Sequence, residues 1–348
     1  MKIAKSVRRL DAYVPGEQPK ARGVVKLNTN ENPYPPSPAC AKVLKTLDLD
    51  CLRRYPDPVF DDLRAALAHL NGTTPDRIFV GNGSDEVLSL CARAFVEDDE
   101  AIASLDPSYS LYRTLAAIRN VKWVGFGGLE GLKAPDKASL FLLTNPNAPT
   151  GEFREPAAVA AFARRFSGVL LVDEAYADFA RANCLALATA SRNRNVLVMR
   201  TFSKSYSLAG LRVGYCVGPA DLIAALYKIK DSYNVDAVAQ AVALAAVKDQ
   251  RWMKANVAKV VASRAALTQA LAARGWDVIP SEANFVFAKP PRPFTAAALF
   301  DALKAKRVYV RHFTGPKTGD RLRITVGTDG QMRKLVATLD RIAKGAGA

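Results

Sequence analysis

One lysine in this chain is surrounded by hydroxyls. Lys204 lies in Thr201-Phe202-Ser203-Lys204-Ser205-Tyr206-Ser207, directly after the strand candidate Val196–Arg200. An amine at the end of a buried strand is desolvated, which favours its neutral form and makes it nucleophilic towards aldehydes. Thr201, Ser203 and Arg212 offer hydroxyls and a guanidinium to a phosphate. A flexible surface lysine could share these neighbours. Asp173, which closes the preceding apolar run Val169–Val172, argues against that. A carboxylate there is desolvated unless it meets a cation or caps a helix. A third strand end, Gly81-Asn82-Gly83-Ser84-Asp85-Glu86, joins glycines that permit a tight turn to the start of a helix. The free N–H groups of such a helix attract anions, although Ser84 or Asp85 could equally be an ordinary N-cap.

Composition removes other chemistries. The 348 residues contain only two histidines, His69 and His312, so a His-rich metal site is excluded. The five cysteines are odd in number and none is spaced CxxC, which speaks against a disulfide framework or zinc site and for a reducing cytoplasm. The first residues lack the apolar segment of a signal peptide, and no run approaches 18 apolar residues, so no membrane partner is expected. The net charge is +16, and it is uneven: residues 251–348 carry 18 basic and 6 acidic side chains, residues 1–26 seven and two, and the middle is nearly neutral. That excess fits small anions, a nucleic acid or a merely solvated basic surface.

The elements that must position these residues are short apolar runs alternating with helical stretches. Strands are expected at Ile78–Val80, Ala101–Leu105, Val121–Phe126, Ser139–Leu143, Val169–Val172, Val196–Arg200 and Leu211–Val217, with helices at Asp61–Leu70, Asp85–Phe95, Tyr109–Asn120 and Pro156–Phe166. Mostly unalternated Val, Ile and Leu indicates strands buried on both faces of a mostly parallel sheet. Only ten residues separate Arg200 from Leu211, too few for a crossover helix, so the last strand should run antiparallel to its predecessor. The Ala-rich stretch Ala224–Ala273 reads as helical. After it come strands at Trp276–Ile279, Asn284–Ala288, Arg307–Arg311 and Leu322–Val326 and a helix at Thr295–Lys306, a smaller α+β unit. Residues 1–40 are expected to form an N-terminal arm and part of the small domain, 41–245 the large domain and 246–348 the small C-terminal domain. The Pro-rich Asn32–Pro38 marks the first boundary.

Ser203–Tyr215 (SKSYSLAGLRVGY), Asp173–Tyr176 (DEAY), Asn145–Gly151 (NPNAPTG) and Gly81–Glu86 (GNGSDE) resemble, in order and spacing, the fold type I aminotransferases that use pyridoxal 5'-phosphate (PLP). Leu27–Tyr34, Arg54–Pro58 and Leu322–Thr328 narrow the resemblance to the histidinol-phosphate aminotransferase branch, over nearly the whole chain. The resemblance implies an α/β fold with a large seven-stranded domain and a small one.

It also implies roles. Lys204 looks like the lysine that carries PLP and then moves the substrate α-proton. Asp173 would pair with the pyridine nitrogen, Tyr176 would donate to the ring oxygen, and Tyr109 would stack on the ring. Gly83, Ser84 and Asp85, with Thr201, Ser203 and Arg212, would hold the cofactor phosphate. Tyr55 would reach the phosphate of the other subunit, which implies a homodimer. Arg323 matches the clamp on the substrate α-carboxylate and Arg311 the contact to the substrate phosphate. Tyr13 and Asn32 belong to the segments lining the substrate pocket. One departure stands out: the family's second asparagine before Pro-Thr-Gly is Ala148 here. Either Asn147 substitutes for it, or Tyr176 is the only donor to the ring oxygen.

The reaction so implied exchanges an amino group between glutamate/2-oxoglutarate and histidinol phosphate/imidazole acetol phosphate, a phosphorylated imidazole ketone. Rivals are an aromatic amino-acid aminotransferase, a threonine-phosphate decarboxylase and, from charge alone, a nucleic-acid-binding protein. The last is disfavoured because the basic C-terminal residues interleave with core strands and carry no binding motif.

Overall fold

The computed structural model describes residues 2–3, 5–8, 10, 16–129, 137–191 and 193–346. Thirteen strands occur among them. A two-residue strand near the N-terminus, β1 (Val25–Lys26), is followed by β2 (Ile78–Gly81), β3 (Ala101–Leu105), β4 (Lys122–Phe126), β5 (Ala138–Thr144), β6 (Val169–Asp173), β7 (Val196–Thr201) and β8 (Gly214–Val217). The C-terminal part holds β9 (Asp277–Ile279), β10 (Phe285–Lys289), β11 (Val308–Tyr309), β12 (Arg311–His312) and β13 (Leu322–Thr325).

The large sheet has the order β2-β8-β7-β6-β5-β3-β4. β3 to β7 are parallel, and β8 is antiparallel to both β7 and β2, as the short connection requires. The central strands are buried on both faces because successive side chains enter opposite cores. Phe141, Leu143, Leu170, Val172, Val196 and Val198 face one core. Leu140, Leu142, Leu171, Leu197 and Met199 face the other. The first core is closed by helices that include Asp61–Leu70, Pro156–Ala163 and Ala237–Lys248. Ser84–Ala94, Leu111–Arg119 and Ala220–Ile229 help close the second.

The smaller sheet, β12-β13-β10-β9, is antiparallel, and its core takes Val25 and Leu27 from the N-terminal segment. β1 pairs with β11 in parallel. The long helix Gln250–Ala272 joins the cores: Met253 enters the large one, Leu267 and Leu271 the small one. No described helix is long and apolar enough to cross a membrane.

Two expectations need correction. The stretch Ala224–Ala273 is not one helix but the end of Ala220–Ile229 and then two further helices, Ala237–Lys248 and Gln250–Ala272. Each new start is set by an aspartate. Asp236 accepts from the Ala239 N–H and Asp249 from the Trp252 N–H, side-chain caps that favour a fresh helix over a continued one. The expected strand Arg307–Arg311 is divided, because its first half pairs with β1 and its last residue with β13. The C-terminal helix Asp329–Ala346 and β1 were not anticipated.

Candidate active site

The carboxyl ends of β6 and β7 and the start of the helix after β2 meet at one edge of the large sheet. Gly83 precedes that helix with φ +80°, a conformation that glycine adopts without strain. No side chain among the described residues caps the helix, so its first N–H groups, from Ser84 onward, are open to an anion. Arg212 lies over this turn: a Cβ on Gly83 would stand 2.6 Å from its Nη2. Arg212 itself is left-handed (φ 58°), an uncommon state for a large side chain. Its Nη1 donates to Ser203 Oγ (3.4 Å) and Ala209 O (3.2 Å), and its Nη2 lies 3.6 Å from Asp85 Oδ2. Tyr109 Oη donates to Asp85 Oδ1 (3.3 Å). Thr201 Oγ1 accepts from the Ser203 N–H (3.1 Å). Gly83, Ser84, Asp85, Tyr109, Thr201, Ser203 and Arg212 are therefore one cluster.

Asp173 ends β6 and is 4 % exposed. Its Oδ2 accepts from Tyr112 Oη (2.9 Å) and its Oδ1 from the Ala175 N–H (3.1 Å). Burial pushes its carboxyl up to about 6, against the lowering effect of the Tyr112 hydroxyl. Such a carboxylate is suited to a cationic partner. Tyr112, which also shares a hydrogen bond with Thr144, was not anticipated from sequence.

Lys204 follows β7. Its Nζ donates to Thr29 O (3.5 Å) and lies 5.9 Å from the centre of the Tyr176 ring. Arg323 Nη2 donates to Asn28 O (3.0 Å), so the lysine and this arginine reach consecutive carbonyls of one N-terminal segment. Arg323 also stacks on Phe285, which meets the Tyr176 ring edge-on. Arg311 is directly opposite Arg323 across the β12–β13 pair, and both guanidiniums lie over Phe313 (5.4 and 5.3 Å). Two cations held side by side on an aromatic face form a natural anion site.

Asn32 donates from Nδ2 to Lys204 O (3.1 Å) and Ser205 O (3.2 Å), bracing the lysine backbone. The Asn147 amide is committed within the protein. Both its hydrogens have acceptors, Pro107 O and Thr150 Oγ1 (3.0 Å each), and its oxygen accepts from Ser108 (2.9 Å). Tyr55 stands apart, 80 % exposed and stacked on Tyr233 with ring centres 4.3 Å apart. Tyr13 lies outside the described residues.

A buried ion pair underlies the site. Arg200, on β7, donates to Glu174 Oε2 from Nε (3.0 Å) and Nη2 (2.7 Å). Burial raises the Glu174 carboxyl and Arg200 opposes that rise. Glu174 adjoins Asp173, and Asp178, 3.7 Å from Arg200, accepts from the Ser205 hydroxyl, so the pair ties together the loops bearing Asp173 and Lys204.

Residues 22–339 match the family model of aminotransferase class I and II. The chain is 44 % identical over 343 residues to the histidinol-phosphate aminotransferase of Syntrophotalea carbinolica, covering 97 % of this chain and 98 % of that one. It is 42 % identical over 341 residues to histidinol-phosphate aminotransferase 1 of a Nostoc species, covering 96 % of each. The crystal structure of histidinol-phosphate aminotransferase from Sinorhizobium meliloti in complex with pyridoxal-5'-phosphate superposes with a TM-score of 0.90 at 27 % identity, over 99 % of this chain and 98 % of that one. The chain belongs to the class I and II aminotransferases.

Proposed function

We propose that this protein transfers an amino group between histidinol phosphate and 2-oxoglutarate, with PLP as cofactor, in histidine biosynthesis. The observation that carries this reading is the convergence of Lys204 and Arg323 on the carbonyls of Thr29 and Asn28, with Arg311 beside Arg323. One half-reaction brings a carboxylate and the other a phosphate ester, and two adjacent guanidiniums serve both. The relatives above, named for this activity over almost their whole length, support the same substrate.

The residues fit PLP. The uncapped helix start, Arg212, Ser203 and Thr201 suit its phosphate, and the buried Asp173 suits its pyridinium nitrogen. Once bound, PLP supplies the electron sink for the bond broken at the substrate α-carbon. The chain does the rest. Asp173 holds a positive charge opposite its carboxylate. Lys204 Nζ takes the α-proton and returns it. Tyr176 would donate its hydroxyl hydrogen to the cofactor's ring oxygen, and Tyr109 would face the ring. With Ala148 apolar and both Asn147 hydrogens engaged, Tyr176 is the one donor assigned to that oxygen. Arg323 binds the carboxylate, Arg311 the phosphate, and Tyr13 with Asn32 lines the pocket.

We further assign residues 41–245 to cofactor binding and 246–348, with 1–40, to closing the site. The working form is a homodimer in the cytoplasm. Leu49 and Leu52, in the turn just before Tyr55, and Tyr55 with the Tyr233 ring stacked on it are all exposed, which supports the dimer, and five free cysteines support the compartment.

The deciding experiment offers the PLP-loaded protein histidinol phosphate, phenylalanine, tyrosine, aspartate and threonine phosphate with 2-oxoglutarate. Histidinol phosphate should lead by roughly 100-fold in kcat/KM. A lead by phenylalanine or tyrosine would transfer the assignment to aromatic amino acids, and carbon dioxide released from threonine phosphate would make the protein a decarboxylase.

A further inference from the structure

We propose that Asn30 is the positioning residue that sets the direction of the Tyr176 hydroxyl. The proposal rests on the PLP reading above. Asn30 is 1 % exposed and its Nδ2 lies 3.0 Å from Tyr176 Oη.

The donors can be assigned one by one. The Asn30 backbone N–H donates to Thr325 Oγ1 (3.0 Å), so that hydroxyl accepts there and gives its own hydrogen to Asn30 Oδ1 (3.1 Å). The amide oxygen thus faces Thr325 and the amide N–H₂ faces Tyr176. Tyr176 Oη must then accept, and its own hydrogen is directed elsewhere, to the ring oxygen of the cofactor. Asn284 Nδ2 donates to Asn30 O (2.9 Å) and pins the backbone, which has φ 56°. Asparagine is the non-glycine residue best suited to that left-handed state, so one side chain meets both demands.

The arrangement also joins two parts of the site. Thr325 stands two residues beyond Arg323 on β13, on the same face. The strand that carries the carboxylate clamp is therefore linked through Asn30 to the hydroxyl that tunes the cofactor. Among the described residues, the charged groups near Tyr176 include Lys204 over its ring and Arg323 across Phe285, and Asp173 precedes it by three residues at the end of β6. All are present in every variant below.

The test is a pH titration of the visible absorption of bound PLP in the intact enzyme. A donor on the ring oxygen draws charge from it. Without that donor the oxygen holds the neighbouring proton more tightly, and the spectral midpoint moves up. Asn30→Asp replaces the N–H₂ by an acceptor and turns the phenol hydrogen away, so the midpoint should rise by about one pH unit. Asn30→Gly keeps the left-handed backbone, deletes only the amide and should raise it by a smaller amount. Glycine serves as the test should the aspartate variant fail to fold. In a Tyr176→Phe background, Asn30→Gly should add no further shift. Unmoved midpoints, or an equal shift in the Phe background, overturn this role for Asn30 while leaving the transaminase reading intact. A wild type that takes up no PLP overturns both.

Discussion

At the scale of single residues, Asp173 is the group whose environment is most specific to its task. Its carboxyl is pushed up to about 6 from an ordinary 3.8 by burial. In the cofactor-free protein the folded state holds this proton more tightly than the unfolded chain does. Stability is thus undiminished below about pH 4 and falls as pH rises through 6, where the buried carboxyl must ionise. Asp173→Asn should consequently stabilise the PLP-free protein at pH 8 by about 3 kcal/mol more than it does at pH 4. Urea unfolding at the two pH values measures this, and an equal effect at both would show that ionisation carries no penalty. Loading with PLP should stabilise wild type more than Asp173→Asn, because only the carboxylate gains from a cation.

At the scale of elements, the ends of β6 and β7 are held in register by more than their ladder. Glu174 is completely buried and Arg200 is 14 % exposed. Removing one partner leaves the other charge buried without compensation, whereas replacing both by apolar groups does not. Arg200→Met should cost about 3–5 kcal/mol, and Arg200→Met with Glu174→Leu should recover most of it. Denaturant midpoints of the four proteins decide the matter; a double variant as weak as the single would locate the loss in packing rather than charge.

At the scale of the whole molecule, the exposed side chains around Tyr55 call for cover. Leu49 is 72 % and Leu52 58 % exposed within six residues of Tyr55, and Tyr233, stacked on Tyr55, is 43 % exposed, apolar surface that water does not favour. Sedimentation should give twice the chain mass, and Leu49→Asp with Leu52→Asp should yield a monomer with weakened PLP retention, since Tyr55 then has no second site to reach. A fully active wild-type monomer would refute the shared site. The +16 charge acquires only a partial explanation at this scale: Arg311 and Arg323 stand in the basic C-terminal region at the site, and Arg212 stands in the neutral middle.

The sequence by itself determined the strands of the large sheet, the reversal of β8 and the residues at the strand ends. A strand buried on both faces must be written as an unbroken apolar run, and a turn onto a helix start must contain glycine. Local chemistry of that kind is visible within a few residues. Tertiary structure alone brought Tyr112 to Asp173, Asn30 to Tyr176, Phe313 under both arginines and Arg200 against Glu174. It also decided that the Asn147 amide is occupied. Asn30 and Tyr176 are 146 residues apart, and Asn30 and Thr325 are separated by 295. A hydrogen bond across such a distance leaves no periodicity or spacing in the chain, because it depends on how two folded elements pack rather than on what either is made of.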